Sequence, residues 1–429
     1  MQIHQARGNL YVLLSDFERA HAEGERALSI ARNIGDGVAQ GAALVGMGLA
    51  SWLGHKFERA LLDAREAIEV GEAVGDPTVL AGGHLTTGLV HEMTGRLEEA
   101  ERKLDQVIRI SRRAGDAANQ SWALVFAAEI KGWEADFDEA TRLYGEGIRL
   151  ARDHNVLVPQ LEGLFMYGIN LTGKGEYRAA LAAFEEGLAL AERVGDENYT
   201  PRYLNSLGWL SFECGDLDRA IQLNRRGSEG ARIRQDHESV ANAELNLADI
   251  FLARGDLASA HETLDAVHRM VKDPATSDWM RWRYSMHLFT SLGELALARS
   301  DQANTRGYAE QCLALATRTN SRKYMVNGWR LRAGEALLRR DWGEAEAALH
   351  EALKIAKAIG SPTPLWKTHF ALGRLYSELG RPDLARPDYR AAYGVIASVR
   401  DSFGDPSLRA TFDSSPLIQR VYQENAESD

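Results

Sequence analysis

The stretch GDLDRA, residues 215–220, is one beat of a rhythm that runs through the chain. Steps of 40 residues lead back from it to GEYRAA (175–180), ADFDEA (135–140), GRLEEA (95–100), HKFERA (55–60) and SDFERA (15–20), and forward to GDLASA (255–260). After one step of 45 the pattern returns weakly as SDQANT (300–305), then as RDWGEA (340–345) and GRPDLA (380–385). Ten units result, and a fixed period of this length marks a stacked repeat architecture.

Each hexamer is flanked on both sides by apolar residues at i, i+3, i+4 spacing over more than helix length, which predicts two helices joined by a tight turn. The second helix usually closes on a Gly-Asp pair, as in RNIGD, EAVGD, RRAGD and ERVGD, where Gly ends one helix and Asp caps the next. Small residues keep the same register. Twelve positions before the end of the hexamer stand Gly8, Gly48, Gly88, Ala128, Gly168, Gly208, Ala248, Gly293, Ala333 and Gly373. The hexamer itself ends in Ala in nine units and in Thr305 in the eighth. Two helices that cross closely need small side chains at the crossing, and these columns supply one on each helix. The predicted fold is therefore all-α: a right-handed superhelical solenoid of about ten helix-turn-helix repeats.

On these residues the chain resembles tetratricopeptide repeats, in which a small residue on the first helix pairs with an Ala twelve positions later on the second. The usual unit has about 34 residues, so this array is similar to the longer, maltose-activator (MalT-like) type of bacterial signalling ATPases, transcription regulators and adenylate cyclase-associated proteins. HEAT and armadillo units overlap in length, but the hexamer-and-Ala spacing favours tetratricopeptides. The resemblance implies a non-catalytic scaffold or sensor in a bacterial signalling or transcription regulator.

The spacing divides the chain into residues 1–272 (repeats one to seven), 273–400 (repeats eight to ten) and 401–429 (capping helices and tail). The inserted segment VKDPATSDW, 271–279, reads as a longer loop and a joint. The first repeat starts well inside its first helix with no polar cap before it, which leads us to expect an upstream effector domain. A formal net charge of −11 argues against nucleic acid as a direct partner and against an anionic membrane. The chain has no uninterrupted apolar run of about 18 residues. Its two cysteines, Cys214 and Cys312, form no Cys-x-x-Cys pair, which suits a reducing compartment and a cytoplasmic location.

Chemistry-bearing motifs resolve into structure. GINLTGKG, residues 168–175, matches a phosphate loop up to Lys174, but Gly175 replaces the Ser or Thr and no strand precedes it; Gly168 belongs to the small-residue column. His261, Asp265 and His268 share a helix face but make a poor closed zinc site. No catalytic, cofactor-binding or metal-ligating set emerges, so neither cofactor nor metal is expected.

What remains is the concave surface, lined by first helices at offsets −6, −3, +1 and +4 from the small residue. Repeats two to four place Val45, Leu49, Trp52, Leu85, Leu89, Trp122 and Val125 there, an apolar wall. Repeats five to seven place Phe165, Arg202, Asn205, Trp209, Asn242 and Asp249; repeats eight to ten place His287, Asn327, Arg330, Lys367, Phe370 and Arg374. Asn bonds the backbone of an extended peptide, Arg grips carboxylates, and aromatic rings anchor. These twelve residues are the expected binding groove for a protein or peptide partner, acidic or presenting its C-terminus. A small-molecule sensor controlling a separate effector domain is the alternative.

Overall fold

The computed structural model describes residues 2–14, 16–273, 276 and 279–428, and among them it holds 22 α-helices and no strand. Helices pair as the spacing requires. Repeats one to five consist of α1 (Gln2–Leu13) with α2 (Phe17–Ile34), α3 (Gly37–Leu53) with α4 (Phe57–Val74), α5 (Pro77–Met93) with α6 (Leu97–Ala114), α7 (Ala117–Trp133) with α8 (Phe137–Asp153), and α9 (Leu157–Lys174) with α10 (Tyr177–Val194). Repeats six to ten consist of α11 (Tyr199–Glu213) with α12 (Leu217–Ile233), α13 (His237–Ala253) with α14 (Leu257–Lys272), α15 (Ser285–Ala298) with α16 (Gln302–Arg318), α17 (Arg322–Leu338) with α18 (Trp342–Ile359), and α19 (Pro362–Glu378) with α20 (Pro382–Ser402). The chain continues through α21 (Pro406–Ser414) and α22 (Pro416–Ser428), and a π-helical turn, Met280–Tyr284, leads into α15. Of the expected joint at 271–279, Pro274, Ala275, Ser277 and Asp278 lie outside the described residues. No helix among the described residues is long and apolar enough to cross a membrane.

The turns carry the pattern. Gly35, Gly75, Gly115, Gly195 and Gly360 end second helices with positive φ, and the Asp36 and Asp76 carboxylates accept from Ala39 N at 2.9 Å and Val79 N at 3.0 Å to start the next first helix. Between the helices of repeats two to ten, the residue five before the Ala column takes the left-handed conformation, whether it is glycine (Gly175, φ 84°; Gly215, φ 82°) or not (His55, φ 58°; Arg340, φ 59°). The crossings are as close as the small columns demand: a Cβ on Gly168 would stand 2.3 Å from the Phe184 ring, and one on Gly373 2.7 Å from Tyr389.

Contacts group the chain into two compact units, residues 1–131, 138–163 and 277–279 in the first, and 132–137, 164–276 and 280–429 in the second. The repeat spacing groups it differently, by where the period slips. In the first unit, α2, α3 and α4 meet over Ala27, Leu28, Ala43, Leu44, Met47 and Ala67. The apolar wall expected of its concave face is largely spent on packing. Leu85, Leu89 and Val125 are fully buried, Val45 fills the space a side chain on Gly82 would need, and Trp52 meets Trp122 and Phe126 at ring distances of 5.9 and 5.6 Å.

The second unit is a superhelix that seats its later repeats on its earlier ones. Ala135, in the turn of repeat four, is buried with Val326, Ala352, Ala356 and Ile359. The turn of repeat five meets the start of α19: a Cβ on Gly175 would lie 2.6 Å from Pro362 Cγ, and Tyr177 Oη is 3.4 Å from Thr363 Oγ1. The turn of repeat six meets the C-terminal segment, with a Cβ on Gly215 falling 3.2 Å from that of Ser415. Phe403 stacks on Tyr177 at 5.8 Å and packs on Phe412 at 5.4 Å. The C-terminal helices therefore close over the turns of repeats five and six as well as over α20.

Candidate functional site

The first helices of the second unit bring charged and aromatic side chains to its interior. On α11, the Trp209 indole N–H donates to Glu213 Oε1 at 3.2 Å, and the ring carries the Lys323 ammonium 4.9 Å from its centre. Thr363 Oγ1, at the start of α19, donates to Glu213 Oε2 at 2.7 Å. Side chains from repeats six, nine and ten thus meet at one place. Beside it, Asp249 on α13 is held by His287 Nε2 at 2.7 Å and by the Ser291 hydroxyl at 2.6 Å.

The electrostatics follow from this arrangement. Burial disfavours the Asp249 carboxylate, yet its pKa lies below the usual value because His287, Ser291 and the Lys367 charge outweigh that cost. Lys323 is half-buried between helices; burial lowers its pKa, opposed by Glu213 and Asp249 and assisted by Lys367. Neither Lys323 nor Lys367 has a carboxylate within ion-pair distance among the described residues. The interior carboxylates are engaged elsewhere: Glu213 as above, Asp249 by His287 and Ser291, and Glu238 by Arg202 at 3.3 Å and by the Tyr284 hydroxyl at 3.0 Å. Burial, reinforced by Glu238, pushes that tyrosine far above its ordinary pKa. Among the described residues Arg330 has only Glu294, at 3.9 Å, and its buried Nε lacks a hydrogen-bond partner.

The twelve expected groove residues divide by this geometry. Trp209, Asp249, His287 and Lys367 belong to the interior constellation, and Asn327 and Arg330 are half-buried on α17. Arg202 lies over the Tyr199 ring at 5.5 Å as well as pairing with Glu238. Others serve packing. Asn205 is wholly buried and ties α11 to α13 by donating from Nδ2 to the Ser239 carbonyl at 2.8 Å, while Asn242 Oδ1 accepts from Asn246 at 3.2 Å within α13. Phe165 and Phe370 are buried against Tyr203 and Tyr389 at 5.8 and 5.9 Å. Arg374 is exposed, 3.7 Å from Glu378 on its own helix.

Several interior residues fall outside the offsets read from sequence, and four of them, Glu238, Arg283, Lys323 and Thr363, stand ten positions before the small residue of their repeat, which is the −3 position carried back one heptad. Extending the stripe by two turns would have found them. Arg283, delivered by the π-helical turn, lies over the Trp133 ring at 5.2 Å.

Comparisons with known proteins agree with this architecture. The tetratricopeptide repeat family matches residues 367–398. The chain is similar in structure to a Rap protein complexed with competence and sporulation factor (TM-score 0.52, 10% identity, covering 94% of this chain and 99% of that one). It is also similar to the Rap conjugation gene regulator of the plasmid pLS20 in complex with the Phr* peptide (TM-score 0.57, 10% identity, covering 85% and 97%). Among curated proteins no sequence matches. At such identity the likeness concerns the fold, and with the ten repeats it supports an array of tetratricopeptide-type repeats.

Proposed function

We propose that the chain is a non-catalytic scaffold or sensor that holds a peptide or protein segment in the interior of its second unit, as part of a bacterial signalling or transcription regulator in the cytoplasm. The observation that carries this reading is the pair Lys323 and Lys367, two ammonium groups without a contacting carboxylate among the described residues, the first over the Trp209 ring and the second near enough to act on its charge. An acidic side chain or a C-terminal carboxylate supplies the missing charge, and indole supplies an apolar anchor. The two Rap structures are complexes with a factor and with a peptide, which agrees with this use of the fold.

The test is a peptide library varied at acidic positions and at the C-terminus. Lys323→Gln with Lys367→Gln is expected to weaken the selected peptides about ten- to a hundredfold, the range of one charge-assisted contact. Arg374→Glu, on the exposed side, is expected to leave affinity unchanged. Equal affinity in all three proteins would remove the interior from consideration. The narrowness of the interior where Lys323 meets Trp209 favours a second reading, a small anionic metabolite. A thermal shift with dicarboxylates and none with peptides would select it.

A further inference from the structure

Three consecutive turns of the second unit are built to be covered. At the left-handed turn position, repeats four, five and six carry Ala135, Gly175 and Gly215, and each lies against later repeats or the C-terminal segment. Where the same position faces solvent, size is unrestricted: His55, Ser300 and Arg340 stand there exposed, and nothing lies within 4 Å of where a side chain on Gly255 or Gly380 would begin. The small residues at 135, 175 and 215 thus mark an intramolecular seam between early and late repeats.

The inner edge of this seam is the interior site itself. Lys323 on Trp209 and Thr363 on Glu213 join repeats nine and ten to α11 across the space a ligand needs. An ammonium 4.9 Å from the ring centre leaves no room for a peptide chain, whose β spacing is about 4.8 Å on each side. The seam sets turns on one side against parts of α17, α18 and α19 on the other, whereas neighbouring repeats pack along whole helices, so it is better suited to local release than the boundaries between neighbours.

We propose that this seam is a releasable clasp: repeats nine and ten part from the turns of repeats four to six to admit a ligand, and Lys323 on Trp209 together with Thr363 on Glu213 is its inner catch. The inference rests on the interior being the binding site.

A reversible tether tests it. A Cβ on Gly175 would lie 3.8 Å from Pro362 Cβ, within disulfide range, and non-glycine residues occupy the equivalent turn elsewhere. Cys214 stands beside Tyr177, so the tether is built in a Cys214→Ala background; Cys312 is buried on α16 and stays. In Gly175→Cys/Pro362→Cys, oxidation is expected to slow amide exchange of residues 175–178 and 213–217 at least tenfold, with reductant restoring it. Binding of fluorescein-labelled hexaglutamate is expected to slow at least tenfold in the oxidised form. Glu213→Ala/Thr363→Ala, which needs no disulfide, is expected to speed exchange at the same amides at least fivefold with the amides of α3 and α5 unchanged. The clasp is overturned if wild-type seam amides exchange no faster than those in the middle of α12, so that the seam opens only on global unfolding, or if the oxidised protein binds hexaglutamate at the reduced rate. Absence of hexaglutamate binding to wild type counts against the acidic-peptide reading alone, because exchange still decides the clasp.

Discussion

His84, on α5 of the first unit, shows how a single side chain is fixed by its surroundings. Its Nδ1 faces the Lys103 ammonium at 3.2 Å and its Nε2 the Gln106 amide at 2.9 Å. Burial, and then the Lys103 charge, push the pKa down from 6.5 to about 4, so the folded protein holds a neutral ring. Between these values the unfolded chain binds more protons, and stability is lost as pH falls from about 6.5 towards 4. At 1.36 kcal/mol per pKa unit the shift is worth of order 3 kcal/mol. Equilibrium unfolding of wild type and His84→Gln from pH 7.5 to 4 should therefore show the two stabilities converging by about that amount on the acid side. Parallel curves would mean that the ring is not kept neutral by folding.

At the scale of the helix pair, the left-handed turn offers a comparison internal to the molecule. Gly255 has φ 74° and open space around it; Gly175 has φ 84° and Pro362 in the way. Gly255→Ala is expected to cost about 1 kcal/mol, the strain of a left-handed residue alone. Gly175→Ala adds overpacking, about 1–3 kcal/mol more. Equal costs by denaturant titration would show that the seam yields freely. Helix pairs, turns and caps were legible in the sequence because each depends on residues a few positions apart: Gly-Asp at one turn, the hexamer at the other, small residues at the crossing. The interior was legible in part. Register alone does not separate Trp209, which faces inward, from Asn205, four positions earlier on α11 and spent on the Ser239 carbonyl. Lys323 escaped because its stripe begins in the first turn of α17. The seam escaped because residues such as Glu213 and Thr363, 150 positions apart, meet only through the accumulated turn of several repeats.

For the second unit as a whole, the C-terminal segment is part of the structure it closes. Removing residues 403–429 takes away Phe403, which stacks on Tyr177, and Phe412 packed behind it, and bares the Gly215 turn. Loss of one buried phenylalanine costs about 3–5 kcal/mol, and domains of this size shift about 2–4 °C per kcal/mol. Truncation after Ser402 should lower the melting temperature by roughly 10 °C or more. A shift below about 3 °C would show that the segment rests on the array without supporting it.

The tie between Thr363 and Glu213 and the stacking of Phe403 on Tyr177 also bear on how the unit comes apart. In an open repeat stack each unit answers only to its neighbours, and the ends fray one repeat at a time. A stack whose last members are bound to its middle has no free terminus on that side. Peeling α20 from α19 must break contacts with repeats five and six in the same event, which ties the fraying of the last repeat to release of the seam.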